Sequence, residues 1–246
     1  MGITNGSAQF LIECCRKNGH LKKVITFGKL GFRVGRYGRL FGLLNRANLL
    51  EGANCSTVEE LKNLLPRGAT DKFLKILGAS SIDSLDISSY QGASIIHDLN
   101  NPLDEKHHCT YDTVLDGGTL EHVFNFPEGL TSAMNLVKPG GDLIFLTMAN
   151  NYCGHGFYQF GPELFYRALS LENGFEMKLC QFYANSGLIN AEDPGPKRIS
   201  GQVPANDTPL MLMVCAKKIF HKKPFQVSYP VQGQYAPQWQ AGENSQ

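Results

Sequence analysis

Between residues 111 and 149 the chain reads YDTVLDGGTLEHVFNFPEGLTSAMNLVKPGGDLIFLTMA. A short apolar run, Thr113-Val114-Leu115, ends in Asp116-Gly117-Gly118. A helical pattern follows at about 127–137, then the turn KPGG and a second apolar run, DLIFLTMA. Strand, helix and strand in succession make a parallel pair, because the crossover returns the second strand in the same sense as the first. The glycines after the first run let a backbone approach a ligand closely.

Working outward, the same alternation recurs. Toward the N-terminus, residues 7–22 form an amphipathic helical pattern, and VITF leads to Gly28. The stretch STVEELKNLLPRGATDKFLKIL (56–77) is helical, with Ser56 or Thr57 as N-cap and Glu59 or Glu60 three residues on. Pro66-Arg67-Gly68 interrupts it. SIDSLDIS and ASIIHDL supply two further strands. Toward the C-terminus, GPELFYRALSLENG predicts a helix stopped by Gly174, and FEMKLCQFYA a strand. A Gly/Pro-rich loop spans 187–209, and PLMLMVCAKK is the final strand, pairing antiparallel with its predecessor at the sheet edge. The pattern predicts an α/β fold: a doubly wound, mainly parallel Rossmann-like sheet of about seven strands, with helices on both faces and an antiparallel edge. One domain over 1–220 and a polar, loosely ordered tail over 221–246 are expected.

Composition narrows the function. Twenty-three basic and twenty-two acidic side chains leave a net charge of +1, so no electrostatic field favours nucleic acid. No apolar window reaches the ~18 residues of a membrane span. No basic, apolar leader opens the chain, and its seven cysteines lack C-x-x-C spacing, so a reducing cytosol is expected rather than a disulfide framework or a structural zinc site. His107-His108 has no acids at metal-ligand spacing, and no metal site is expected. Lys29, Arg33, Arg36, Arg39 and Arg46, without an intervening acid, form a basic stretch that reads either as a solvated face or as a contact for an anionic substrate.

In a doubly wound sheet, ligands bind at the carboxyl ends of the strands. Those ends carry Gly28, then Asp86-Ile87-Ser88, then His97-Asp98-Leu99, then Asp116-Gly117-Gly118. A carboxylate after the second strand can accept both hydrogen bonds of a ribose diol. An acid or a glycine at four successive strand ends is the informative pattern, more than any single residue. VITFGKLGF lacks the G-x-G-x-x-G of a nicotinamide enzyme.

Asp86-Ile87-Ser88, His97-Asp98-Leu99, YDTVLDGGTLEHV and VKPGGDLIF together resemble the motifs of class I S-adenosylmethionine-dependent methyltransferases, in the type 11 branch, over about residues 20–180. The resemblance implies S-adenosyl-L-methionine as cofactor. It places Asp86 on the ribose, Asp98 and Leu99 at the adenine, and Asp116, Gly117 and Gly118 beside the methionine moiety, with Gly28 and Ile87 in the same pocket. The chain departs from the family in its first motif, where Thr26 stands in place of an acid and Leu30 in place of the middle glycine. GHGFYQFGPELFY resembles a sub-branch found beside sugar-modifying genes, which implies a small-molecule or glycan-related acceptor.

A hydroxyl acceptor must lose its proton near the transition state, and histidine is the natural base. His155, in the glycine-flanked loop after the fifth strand, is the first candidate; His122 and Glu121, adjacent to each other after the fourth strand, are the others. Phe157, Tyr158, Gln159 and Phe160 are candidate acceptor-lining residues, the phenylalanines reading more readily as core. The expected activity is methyl transfer to a hydroxyl, less readily an amine; the alternative is a methyltransferase-like binding or scaffold protein without catalysis.

Overall fold

A computed structural model describes residues 2–184, 187–196, 207–226 and 229–235. Among these residues ten strands alternate with six helices: β1 Gly2–Ile3, α1 Asn5–Asn18, β2 Lys22–Phe27, β3 Gly31–Phe32, α2 Tyr37–Arg46, α3 Val58–Leu64, α4 Thr70–Ile76, β4 Ala79–Asp86 and β5 Ile95–Ile96. Then come β6 Tyr111–Asp116, α5 Phe126–Leu136, β7 Val137–Asn150, α6 Pro162–Ala168, β8 Phe175–Ala184, β9 Gly187–Asn190 and β10 Leu210–Lys218.

Eight of these strands form one sheet in the order β5-β4-β2-β6-β7-β10-β8-β9, and β1 with β3 makes a separate parallel pair. From β5 to β7 every pairing is parallel, whereas β10 is antiparallel to both β7 and β8, and β8 is antiparallel to β9. The chain leaves β2 toward β4 and β5, then returns to the other side of β2 to lay down β6 and β7. That reversal puts the topological switch point between the carboxyl ends of β2 and β6.

Strand periodicity builds two cores. Val24, Ile144, Leu146, Met213 and Cys215 face one side and pack with Phe10 and Leu11 of α1, Leu40 and Leu44 of α2, Leu61 of α3 and Phe73 and Leu74 of α4. Their sequence neighbours Ile25, Phe145, Leu212 and Val214 face the other side and pack with Leu130, Ala133 and Met134 of α5 and Phe165 of α6. The doubly wound α/β reading of the sequence is therefore the architecture of the molecule.

Local chemistry explains the helix limits. Thr57 caps α3 by accepting from the Glu60 N–H at 3.2 Å, while Glu60 Oε2 accepts from the Thr57 N–H at 3.3 Å. Gly68, at φ +88°, separates α3 from α4 where the Pro-Arg-Gly break was expected.

Four details differ from the sequence reading. α1 starts and stops earlier than 7–22. The helix expected over 161–174 ends at Ala168, and Gly174 in the left-handed region closes a separate short turn. The stretch 187–209 holds an edge strand, β9, rather than loop alone. β10 pairs antiparallel with β8 toward the sheet edge as expected, but it inserts between β7 and β8, where its unbroken apolar run suits a strand covered on both faces. Of the expected C-terminal tail, 227–228 and 236–246 lie outside the described residues; within it, the Phe225 N–H donates to Asn173 Oδ1 and the Gly233 N–H to Glu163 Oε1.

Candidate functional site

At the switch point the first turn is held from below. Thr26 Oγ1 donates to the Gly28 carbonyl at 2.8 Å, and the Gly28 N–H to the Leu85 carbonyl at 2.7 Å. Gly28 takes φ +66°, which a side chain would strain, and a Cβ there would lie 3.7 Å from both Asp86 Oδ2 and Thr119 Oγ1. The ends of β2, β4 and β6 thus meet around one glycine. Thr119, which sequence reasoning did not single out, donates its hydroxyl to the Phe27 carbonyl at 2.9 Å and ties β6 to β2.

Asp86 is half-buried, and among the described residues its carboxylate accepts only a long bond, 3.4 Å, from the Ser88 N–H. Its acceptor capacity is largely unspent. Ile87 beside it is 67% exposed.

Asp116 behaves differently. Its carboxylate is fully buried and accepts from the Thr119 N–H at 2.8 Å and the Leu120 N–H at 3.4 Å. Burial, then the nearby Glu121 charge, push its pKa up to about 7 against the pull of those backbone donors. Gly117 and Gly118 are buried, Gly118 with φ +94°. Leu30 is packed against Gly117 so closely that a Cβ at 117 would overlap the Leu30 Cδ2 methyl.

Asp98 and Leu99 are each engaged by other partners. Asp98 accepts from the Asn100 N–H at 2.9 Å and from the Asn100 and Asn101 side-chain amides, and the two Asn100 bonds hold its pKa below the usual carboxylate range. Leu99 is buried in the core under α5, close to Gly129. Of the basic stretch, Arg33, Arg36, Arg39 and Arg46 are exposed, and Arg39 donates to Gln9 Oε1 at 2.8 Å.

Beyond β6 the three candidate catalytic residues come together. Ligand atoms of Glu121, His122 and His155 all lie within 4.8 Å of one another, and the two imidazole centroids are 5.2 Å apart. β6 and β7 are parallel neighbours, so the loops that follow them share one edge of the sheet. The Phe157 N–H donates to the Glu121 carbonyl at 2.8 Å and stitches the loops together. Gly156 is required at that seam, because a Cβ there would meet the Glu121 carbonyl oxygen at 2.8 Å and the His122 Nδ1 at 3.3 Å.

The Glu121 side chain is fully buried. Thr147 Oγ1 donates to its Oε2 at 3.1 Å, and its Oε1 is without a hydrogen-bond partner among the described residues. Burial raises the Glu121 pKa, and burial together with the His155 charge lowers that of His122. Both imidazoles are exposed.

Of the expected acceptor-lining residues, Phe160 is core, as its type suggested. Phe157 is 67% exposed and packs edge-to-face on Phe124, itself 73% exposed, at 5.9 Å. Tyr158 donates its hydroxyl to the Phe124 carbonyl at 2.7 Å, and Gln159 Oε1 accepts from the Tyr152 N–H at 2.9 Å.

No protein-family model and no curated protein matches the chain. Solved structures similar to it include the trans-methyltransferase CalH in complex with SAH, at 14% identity and TM-score 0.43, covering 87% of this chain and 55% of that one. A branched-chain polyamine synthase mutein from Thermus thermophilus, with N4-aminopropylspermidine and 5'-methylthioadenosine, shows 11% identity and TM-score 0.46 over 92% of this chain and 59% of that one. The 1,6-didemethyltoxoflavin-N1-methyltransferase of Burkholderia thailandensis shows 13% identity and TM-score 0.42 over 87% and 79%. The chain thus spans little more than half the length of the first two. Among the described residues no helix is long and apolar enough to cross a membrane.

Proposed function

We propose that the protein is an S-adenosylmethionine-dependent methyltransferase acting on a hydroxyl group of a small molecule or glycan-related metabolite. The observation that carries this reading is the convergence at the switch point: Gly28 at φ +66°, with Asp86 and Thr119 on either side of it. It sets a carboxylate with unspent acceptor capacity beside a glycine turn, a geometry suited to the ribose diol of a nucleoside. Ile87 offers an exposed apolar side chain next to that carboxylate.

Methyl transfer from a sulfonium is an in-line displacement, for which positioning supplies most of the acceleration. The nucleophilic oxygen forms its bond to the methyl carbon as the carbon–sulfur bond breaks. The hydroxyl proton leaves at the Glu121–His122–His155 cluster, with His155 as the first acceptor and His122 beside it. The exposed Phe124–Phe157 pair lies next to both histidines in sequence and supplies an apolar surface for the acceptor.

A second reading, a binding or scaffold protein without transfer, is favoured by one contact. Leu30 packs against Gly117, the glycine assigned to the methionine end of the donor. Calorimetry with S-adenosylmethionine and S-adenosylhomocysteine separates the two. Saturable heat at micromolar ligand, lost in Asp86→Ala, supports the transferase; no heat at high micromolar ligand overturns it in favour of the scaffold.

A further inference from the structure

We propose that Glu121, His122 and His155 form a binding site for one divalent first-row transition-metal ion of the zinc type. The sequence gives no metal-ligand spacing here, because Glu121 and His122 are adjacent and His155 lies on a different loop. The pairing of β6 with β7 is what assembles them.

One carboxylate oxygen and one nitrogen from each ring already lie within 4.8 Å of one another. Ligands about 2.0–2.1 Å from a tetrahedral ion stand roughly 3.3 Å apart, so closing on a metal requires movements on the order of 1 Å. Both imidazoles are exposed and have room for that movement.

The Glu121 carboxylate points the same way. It is fully buried, yet its Oε1 has no hydrogen-bond partner among the described residues. A buried unpaired acceptor is costly, and a cation would satisfy it. Thr147, donating to the other oxygen, fixes the carboxylate as outer-shell partners of metal ligands do.

The donor chemistry selects the ion. Two imidazole nitrogens and one carboxylate suit zinc, iron, cobalt or nickel rather than magnesium or calcium, which take oxygen ligands. Three protein ligands leave coordination positions open.

The site stands on the cluster's geometry and goes beyond the methyl-transfer reading. With an ion bound, the imidazoles are ligands. The ion would supply Lewis acidity to an acceptor hydroxyl, and neither ring nitrogen engaged with it would be free to act as the base.

The test is titration of chelator-stripped, full-length protein with Co2+, without S-adenosylmethionine, following visible absorption and competition with a chromophoric chelator. One Co2+ per chain is expected. His122→Ala and His155→Ala should each weaken binding by roughly 100-fold or more, beyond the ~10–100-fold effect of losing an outer-shell partner. Both positions are exposed, so circular dichroism should show the variants folded; Glu121→Gln should weaken binding as well. Cys153, an exposed thiol two residues before His155, supplies the control: Cys153→Ser should bind as wild type does. No binding at millimolar Co2+, binding that survives both histidine substitutions, or binding lost in Cys153→Ser would each overturn the proposal. Because no methyl donor is present, failure here is distinct from absence of heat with S-adenosylhomocysteine, which bears on the transferase reading alone.

Discussion

Leu30 and Gly117 are locked in a mutual fit: the leucine methyls occupy the space that any Cβ at residue 117 would need. Leu30 is only 7% exposed and belongs to the core on the α1–α4 face, so the contact is part of the packing. Gly117→Ala should therefore destabilise the protein by ~1–3 kcal/mol through overpacking. Leu30→Ala should cost ~2–5 kcal/mol as a buried truncation. The double variant should be more stable than the sum of the two losses predicts, because each change removes the other's clash or void. Additive losses in chemical denaturation would show that the two side chains do not share one space.

Asp86→Ala should leave the melting temperature within a degree or two of wild type, since among the described residues the carboxylate makes only one long bond. Binding of S-adenosylhomocysteine should weaken by ~1.5–3 kcal/mol for each hydrogen bond to the charged acceptor that is lost. An unchanged dissociation constant in the folded variant would remove Asp86 from the site.

Much of this arrangement was legible before the fold was known, and the reason is local. Apolar runs ending in Gly28, Asp86 and Asp116 mark strand ends, and alternation of strands with helices makes those ends share an edge. The meeting of His155 with Glu121 and His122 follows from the same logic. What was not legible depends on distant geometry. Leu30 and Gly117 touch only because β6 lies directly beside β2. Asp98 sits at a strand end as expected, yet Asn100 and Asn101 supply enough donors to occupy it, a competition visible only once the turn is built. β10 reads equally well as an edge or an interior strand until its neighbours are known.

Asp116 makes stability depend on pH. Its folded pKa, about 7, lies above the ordinary 3.8, so the folded protein binds the extra proton between those values. Stability from this group is greatest at low pH and falls as pH rises from about 4 to about 7, because the unfolded chain releases the proton that the folded protein retains. The raised pKa of Glu121 adds in the same direction. Asp116→Asn should flatten this part of the profile when denaturation midpoints are compared across pH in the presence of a chelator. An identical slope in the variant would show that Asp116 ionises freely in the folded state.

The seam between the loops after β6 and β7 gives the last prediction. Gly156 faces the Glu121 carbonyl at a distance no Cβ tolerates, and its neighbour Phe157 donates to that same carbonyl. Gly156→Ala must therefore break or lengthen that bond and swing His155 away from Glu121 and His122. The protein should stay folded, because the loop is exposed and the core beneath it is untouched. Stability should fall by only ~1–2 kcal/mol, on the scale of one lost hydrogen bond. Turnover should fall by ~100-fold or more, as displacement of a catalytic group by about 1 Å commonly does, while affinity for S-adenosylhomocysteine stays near wild type. Gly38→Ala is the matched control. It lies on the exposed face of α2 with nothing near its Cβ position, and it should raise stability by ~0.5–1 kcal/mol without changing turnover. Equal turnover in Gly156→Ala and wild type would detach His155 from the reaction and leave 150–160 as a structural loop.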